Sequence, residues 1–211
     1  MLEKITFLKA AENRESFFYR IALIFPKHDP RYQMIDRAYN TAKDAFRGIY
    51  REDGERYFEH LRAVALILID YLRVRDHNLI VAALLHDIVE DINTWSIERV
   101  GLEFGGEAAL LVEWLTKPKE SVGFSKKESD LVYHKRFALA PREFFLIKLP
   151  DRLHNLITLW ACSTEKMLRK IEETKRYYLP YAEKHLILLH EIEEAIENLE
   201  KGNNTLQSAP M

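Results

Sequence analysis

The sequence predicts an all-α fold, a single-domain helical bundle of about eight to ten helices. Three observations carry that expectation. Apolar residues recur at three- and four-residue spacing along most of the 211 residues. Only 7 Gly and 7 Pro are present, too few for the many tight turns of an all-β chain. Helix-start signals, Asp29-Pro30 and Ser125-Lys126-Lys127-Glu128, stand where periodic runs begin.

Taken in order, residues 2–25 carry an uneven apolar stripe with Ile5, Leu8, Phe17, Phe18, Ile21, Leu23 and Ile24, ended by Phe25-Pro26. Asp29 caps the next helix, which carries Met34, Ile35, Ala38, Ala42, Ala45 and Phe46 and stops near Gly48. A polar loop, Arg51 to Arg56, leads into a helix over 57–73 whose one face holds Tyr57, His60, Leu61, Val64 and Leu68. Helices come next over 77–90, 94–104 and 106–116, then a loop from Pro118 to Gly123 and a helix from Ser125 to about Ala140. Phe144–Leu149 is apolar apart from Lys148 and is assigned to a helix by its surroundings, with Pro150 permitting a kink or a new first turn. Residues 151–161, 164–179 and 181–200 complete the helices, and the polar tail from Gly202 is expected to be disordered. The organisation expected is an N-terminal helical extension over 1–28, one domain over 29–200 and a tail over 201–211.

Composition narrows the function classes. A formal net charge of −2 gives no general attraction to nucleic acid. The apolar runs fall short of the roughly 18–20 residues a membrane span requires. A single cysteine, Cys162, excludes an intramolecular disulfide framework. Met1-Leu2-Glu3-Lys4 opens no apolar signal-peptide core, so the expected location is cytoplasmic. No phosphate-cradling glycine loop followed by Lys-Ser/Thr occurs, which disfavours an NTPase.

The chemistry concentrates in Leu79 to Asp91, where an apolar run ends in His86-Asp87 and two further carboxylates, Glu90 and Asp91. If the helix continues, His86 and Glu90 share one face, and Asp87 and Asp91 the next. Ionisable groups at the end of a buried helix are costly unless they bind something or one another. Two other places put polar groups where the pattern calls for core: His60, and the face formed by Asp151, Asn155 and Thr158. Singly, a core histidine is usually satisfied by a carbonyl and a helix-start aspartate is usually a cap. Together, His60, His86, Asp87 and Asp151 supply two imidazoles and two carboxylates from three helices. That set suits one five- or six-coordinate divalent ion with water sites left open.

With these residues in place the chain resembles the HD phosphohydrolase superfamily, and within it the RelA/SpoT-type hydrolases of the alarmones (p)ppGpp. Arg51-x-x-Gly54-Glu55-x-Tyr57-x-x-His60 is similar to that family's R-x-x-G-E-x-Y-x-x-H. Leu84-Leu85-His86-Asp87-Ile88-Val89-Glu90-Asp91 resembles its central signature, L-L-H-D-h-h-E-D with h apolar. Phe104-Gly105 and Leu115-Thr116-Lys117 resemble the family's F-G and V-T-K, which lie C-terminal to that signature. Lys148-Leu149-Pro150-Asp151-Arg152-Leu153-His154-Asn155 matches K-L-A-D-R-L-H-N with one change. Glu173-Thr174 and Tyr178-x-Pro180-x-Ala182 resemble the closing motif.

The resemblance implies an HD-domain bundle and a small, stand-alone hydrolase that removes the 3′-pyrophosphate from ppGpp or a close analogue. It implies one Mn²⁺ held by His60, His86, Asp87 and Asp151, with Glu90 and Asp91 positioning and deprotonating water. It implies a nucleotide site built from Arg51, Tyr57, Asn155 and Thr158, no nucleic-acid or membrane partner, and leaves a homo-oligomer open. Lys117, Arg136, Lys148 and Arg152 are further basic candidates, Arg152 as an internal partner for a carboxylate. Phe46, Ile49, Leu61, Pro150 and Ile157 depart from the family pattern without touching the metal set. Glu52-Asp53 stand where the family often has Lys-Ser, which opens another nucleotide such as ppApp or NADPH as the substrate, and a non-catalytic nucleotide-binding module that keeps the fold is a further alternative. Cys162 is expected to be a buried small residue, Trp95, Trp114 and Trp160 packing residues, and Glu191, Glu193, Glu194 and Glu197 a solvated face.

Overall fold

The central element is a helix, apolar from its third residue onward, that other helices enclose. In the computed structural model, which describes residues 12–117 and 126–207, that helix is α4 (His77–Leu85). Asp76 caps it, and every side chain from Leu79 to Leu85 is buried. A helix apolar on all sides must be surrounded. α2 (Pro30–Ala45), α3 (Tyr57–Leu66), α7 (Gly106–Leu115) and α9 (Arg142–Ile157) pack against it.

The remaining helices are α1 (Arg14–Ala22), α5 (Ile88–Asp91), α6 (Ile97–Phe104), α8 (Lys126–Arg136), α10 (Thr164–Tyr177), α11 (Leu179–His185) and α12 (Leu189–Gln207). No strand occurs among the described residues, so the all-α class holds. Twelve α-helices stand among the described residues where about eight to ten were expected, because two predicted helices are interrupted. The 77–90 helix stops at Leu85 and restarts at Ile88, and the 181–200 helix is replaced by α11 and α12 with a left-handed Leu186 between them. In the opposite direction, 144–149 and 151–157 form one helix, α9, through Pro150.

Several local expectations are met for the stated reasons. The Asp29 carboxylate accepts from Arg31 N at 2.8 Å, with Pro30 at the first helical position. The helix expected over 2–25 is shorter among the described residues: α1 starts at Arg14 behind an Asn13–Ser16 capping box, ends at Ala22 and buries Phe17, Phe18 and Ile21. Phe17 lies on Tyr39 of α2, ring centroids 5.0 Å apart. The 57–73 helix loosens into a π-helical turn over Ile67–Tyr71 before ending at Arg73, whose φ is +56°. α12 stays helical through Gly202 to Gln207, where the composition predicted disorder. The chain beyond it, the segment before Glu12 and the 118–125 loop with its Ser125 capping box lie outside the described residues.

Three elements meet at the site. α3 brings Tyr57 and His60, the α4–α5 junction brings His86 to Asp91, and α9 brings Lys148 to Asn155. α3, α4 and α9 all pack on one another.

Candidate active site

The His86-Asp87 pair sits in a break, not in a continuous helix. The His86 Nδ1 is 2.8 Å from the Ala83 carbonyl, and Asp87 adopts φ −102°, ψ −1° before α5 begins. The face expected for His86 and Glu90 is therefore corrected, whereas Asp91 N still donates to the Asp87 carbonyl at 2.9 Å, one helical turn apart as expected. The break leaves His86 buried while Glu90 and Asp91 reach solvent.

His60, His86 and Asp151, all buried, offer ligand atoms that lie within 4.8 Å of one another. His60 Nε2 is 3.2 Å from Asp151 Oδ1, and His86 Nε2 is 3.8 Å from the same oxygen. Asp87 Oδ2 stands 3.0 Å from His86 Nε2 and 3.9 Å from His60 Nε2. The structure brings these two imidazoles and two carboxylates together.

Hydrogen bonding fixes what each ring presents. The His86 Nδ1 donates to the Ala83 carbonyl, so in the neutral ring the lone pair of the buried Nε2 faces the carboxylates. The His60 Nδ1 is 2.9 Å from the His154 Nδ1; with His60 donating, its Nε2 lone pair also faces inward. Two inward lone pairs and two carboxylates form a donor set for a cation, and a second nitrogen tied to a backbone or side-chain partner is the usual way such rings are oriented. The residues fit a divalent metal.

The electrostatics agree. Burial lowers the His60 ring, outweighing the pull of Asp151, and lowers His154 further. Burial opposes charge on His86 too, but Asp87 and Asp151 overcome it and push the ring up to about 10. Asp151 lies well below the usual carboxylate range despite burial, because Lys148 Nζ stands 2.8 Å from its Oδ2. Asn155 Nδ2 donates to Asp151 Oδ1 at 2.6 Å. Tyr57 OH donates to Asp87 Oδ2 at 2.7 Å, and Phe46, where the family pattern has histidine, stacks on the Tyr57 ring at 4.8 Å.

Beside this cluster opens a cavity of about 360 Å³, lined by Asp87, Glu90, Asp151, Arg51, Tyr57, Asn155 and Thr158 among others. Arg51 NH2 donates to Asn155 Oδ1 and Thr158 Oγ1, each at 2.9 Å, so the residues assigned to the nucleotide form one connected wall. The loop carrying Arg51 is closed by Arg51 N donating to the Glu55 carbonyl at 2.8 Å, with Gly54 at φ +85°. Glu90 Oε2 accepts from Lys117 N at 3.1 Å. Asp91 stands just outside the lining; desolvation first, then the charge of Asp87, pushes it up to about 6, with the Tyr57 hydroxyl pulling the other way.

Several expectations change. Glu52 is not a free negative charge: Lys166 Nζ pairs with it at 2.9 Å and Cys162 Sγ donates to it. Asp53 is spent on its own turn, accepting from Glu55 N at 3.0 Å. Cys162 is half-buried at the cavity instead of in the core. Trp160 is 71% exposed, whereas Trp95 is buried and Trp114 packs by Phe144. Glu191 is buried and accepts from the Tyr71 hydroxyl, so it leaves the solvated face. Arg136 lies over Trp114, away from the cavity, and Arg152 pairs with Glu173 at 2.9 Å as expected. Sequence reasoning missed Lys166, Lys170 and Tyr178 as lining residues. Lys166, Lys170 and Glu173 fall at i, i+4 and i+7 on α10, a one-face pattern that was there to be read.

Comparison with known proteins places this geometry. The family model described as an HD domain matches residues 38–187. The chain is 38% identical over 162 residues to the guanosine-3′,5′-bis(diphosphate) 3′-pyrophosphohydrolase of Aquifex aeolicus, covering 75% of this chain and 22% of that protein. It is 34% identical over 174 residues to the bifunctional (p)ppGpp synthase/hydrolase SpoT of Escherichia coli, covering 81% of this chain and 24% of that one. The chain thus spans less than a quarter of these curated relatives. A solved structure described as a metazoan ortholog of SpoT that hydrolyzes ppGpp superposes with a TM-score of 0.68 at 25% identity, over 78% of this chain and 94% of the other.

Proposed function

The chain belongs to the HD-domain family, and on that premise we propose that it is a metal-dependent hydrolase that removes the 3′-pyrophosphate from ppGpp or a close alarmone analogue. The observation that carries this is the convergence of His60, His86, Asp87 and Asp151 beside a cavity with Glu90 on one side and Arg51 on another. The names of the relatives support the substrate class.

Mn²⁺ suits a set of two imidazoles and two carboxylates, and when bound it supplies the positive charge that acidifies water and draws electron density from phosphoryl oxygens. Around it the chain's own groups divide the work. Glu90 and Asp91 orient the attacking water and accept its proton; the raised Asp91 carboxyl is a better base than an ordinary aspartate. Arg51, held by Asn155 and Thr158, clamps the nucleotide, with Tyr57 closing the wall beside it. Lys166 offsets the charge of Glu52, which lowers the loop's opposition to a multiply charged nucleotide.

The test is pyrophosphate release from ppGpp by metal-stripped protein, with and without Mn²⁺. Release is expected only with Mn²⁺, to be abolished in His86→Ala and to fall about 10²–10⁴-fold in Glu90→Gln. Mn²⁺ binding without ppGpp turnover, but with turnover of ppApp or NADPH, would move the substrate and keep the chemistry. Mn²⁺ binding with no turnover of any of the three would leave a binding module.

A further inference from the structure

The loop that carries Arg51 puts one more residue in the cavity wall, and its charge is the wrong sign for a phosphate. Glu52 lines the cavity together with Cys162 and Lys166. Asp151, Asn155, Thr158 and Cys162 follow one another at three- and four-residue steps. That wall runs outward from the candidate metal ligands, past the Asn155 and Thr158 contacts of Arg51, to Glu52. Glu52 Oε2 accepts from Lys166 Nζ at 2.9 Å and from Cys162 Sγ. These bonds, that of Cys162 first, hold the Glu52 carboxyl below its ordinary range, so it is an ionised acceptor at neutral pH.

Stability does not account for the pair. The Glu52 and Lys166 side chains are 55% and 37% exposed, and an exposed ion pair contributes little to folding. What the pair offers is a donor fixed beside an acceptor. A carboxylate only accepts, through both oxygens, and an ammonium only donates. Both protein bonds fall on Oε2, so Oε1 and the other Lys166 N–H groups are open to a ligand. Guanine matches that order of groups: its O6 accepts, while its N1–H and its amino group donate side by side. Adenine presents one amino donor and the acceptor N1 on the same edge, with a carbon where guanine has its amino group. It cannot answer both carboxylate oxygens. A lysine at position 52, which the family often has, would offer a donor and no acceptor.

We propose that Glu52 and Lys166 read the Watson–Crick edge of guanine, Lys166 donating to O6 and Glu52 accepting from N1–H and the amino group, so that this chain selects guanine over adenine nucleotides. The inference rests on the nucleotide-hydrolase reading above and adds the residues that choose the base. With the reacting phosphate beside Asp87 and Asp151 and the nucleoside on Arg51, the base reaches this outer end of the wall. Cys162 positions the carboxylate and does not itself touch the base.

The experiment is calorimetric titration of the Mn²⁺-loaded protein with GDP, the nucleotide left when ppGpp loses its 3′-pyrophosphate, and with IDP and ADP. GDP is expected to bind about ten-fold or more tighter than ADP, with IDP, which lacks only the amino group, between them. Glu52→Gln turns one acceptor into a donor that faces guanine's own donors. It should weaken GDP by about ten-fold and leave ADP within about two-fold. A carboxylate that merely repels phosphate predicts the opposite sign, tighter binding of GDP and ADP alike. Lys166→Ala should weaken GDP and IDP more than ADP, because both carry O6. Lys175→Ala, whose side chain pairs with Glu200, is the control that should change none of the three. Equal affinity for GDP and ADP in the unaltered protein would overturn the proposal, and so would a GDP-to-ADP ratio unmoved by Glu52→Gln. The two readings fail separately: a guanine preference that Glu52→Gln abolishes, without ppGpp turnover, sinks the proposed function alone. Turnover of ppGpp with a ratio indifferent to Glu52→Gln sinks the base reading alone.

Discussion

Tyr57 shows how one side chain joins two tasks. Its motif position suggested a nucleotide contact, and it does line the cavity, but its hydroxyl also donates to Asp87 Oδ2 at 2.7 Å. A hydrogen bond to a metal-ligand carboxylate fixes the direction of its lone pairs. Tyr57→Phe removes that bond while keeping the stack on Phe46. The expected outcome in a Mn²⁺ titration is a loss of about 10–100-fold in affinity. A rise in KM with metal affinity intact would instead assign Tyr57 to the nucleotide alone. At this scale the sequence was legible where a residue type violated its surroundings, as His60 does on an apolar face. It was not legible where the partner lay far along the chain: His154 answers His60 across 94 positions.

Among the elements, the α6–α7 corner explains a motif glycine physically. Gly105 ends α6 and starts α7 at φ +94°, ψ 158°, a conformation essentially reserved for glycine. A Cβ built there meets nothing within 4 Å, so substitution is a question of backbone alone. Gly105→Ala is expected to destabilise the fold by about 1–3 kcal/mol, read from urea unfolding. An unchanged midpoint would mean that the corner relaxes to an ordinary conformation without cost. Element existence was legible from period and caps, as at Asp29-Pro30. Element ends were less so: the break at His86-Asp87 is set by packing that buries the His86 ring, and no local signal marks it.

At the scale of the molecule, Glu173 ties three helices together. Its carboxylate meets His134 of α8 at 3.4 Å, Arg152 of α9 at 2.9 Å and Lys170 of its own α10 at 2.7 Å. Burial alone would raise the carboxyl; those three partners outweigh it and hold it far below the ordinary range. A carboxyl depressed in the folded state stabilises the fold above its unfolded pKa of about 4.3 and loses that contribution as pH falls toward the folded value. Glu173→Gln leaves Arg152 buried with its main counter-charge gone, so at pH 7 it is expected to cost about 3 kcal/mol in urea unfolding. Below about pH 4 the gap to the unaltered protein should close by roughly 1.4 kcal/mol per pH unit. A gap constant down to pH 3 would show that the carboxylate is not held by charge.

The sequence by itself determined the helical class, the Asp29-Pro30 cap, the four candidate ligands and the family motifs, because each is written in residue type and short-range spacing. The tertiary structure decided which charges cancel and which stay open. Glu52 looked like an added negative charge until packing set Lys166 of α10 against it, and Lys170 looked like an ordinary helix residue until the fold turned it into the cavity. Electrostatic energy depends on separation in space, and for partners as far apart in sequence as Glu52 and Cys162, 110 residues, only the packing of helices sets that separation.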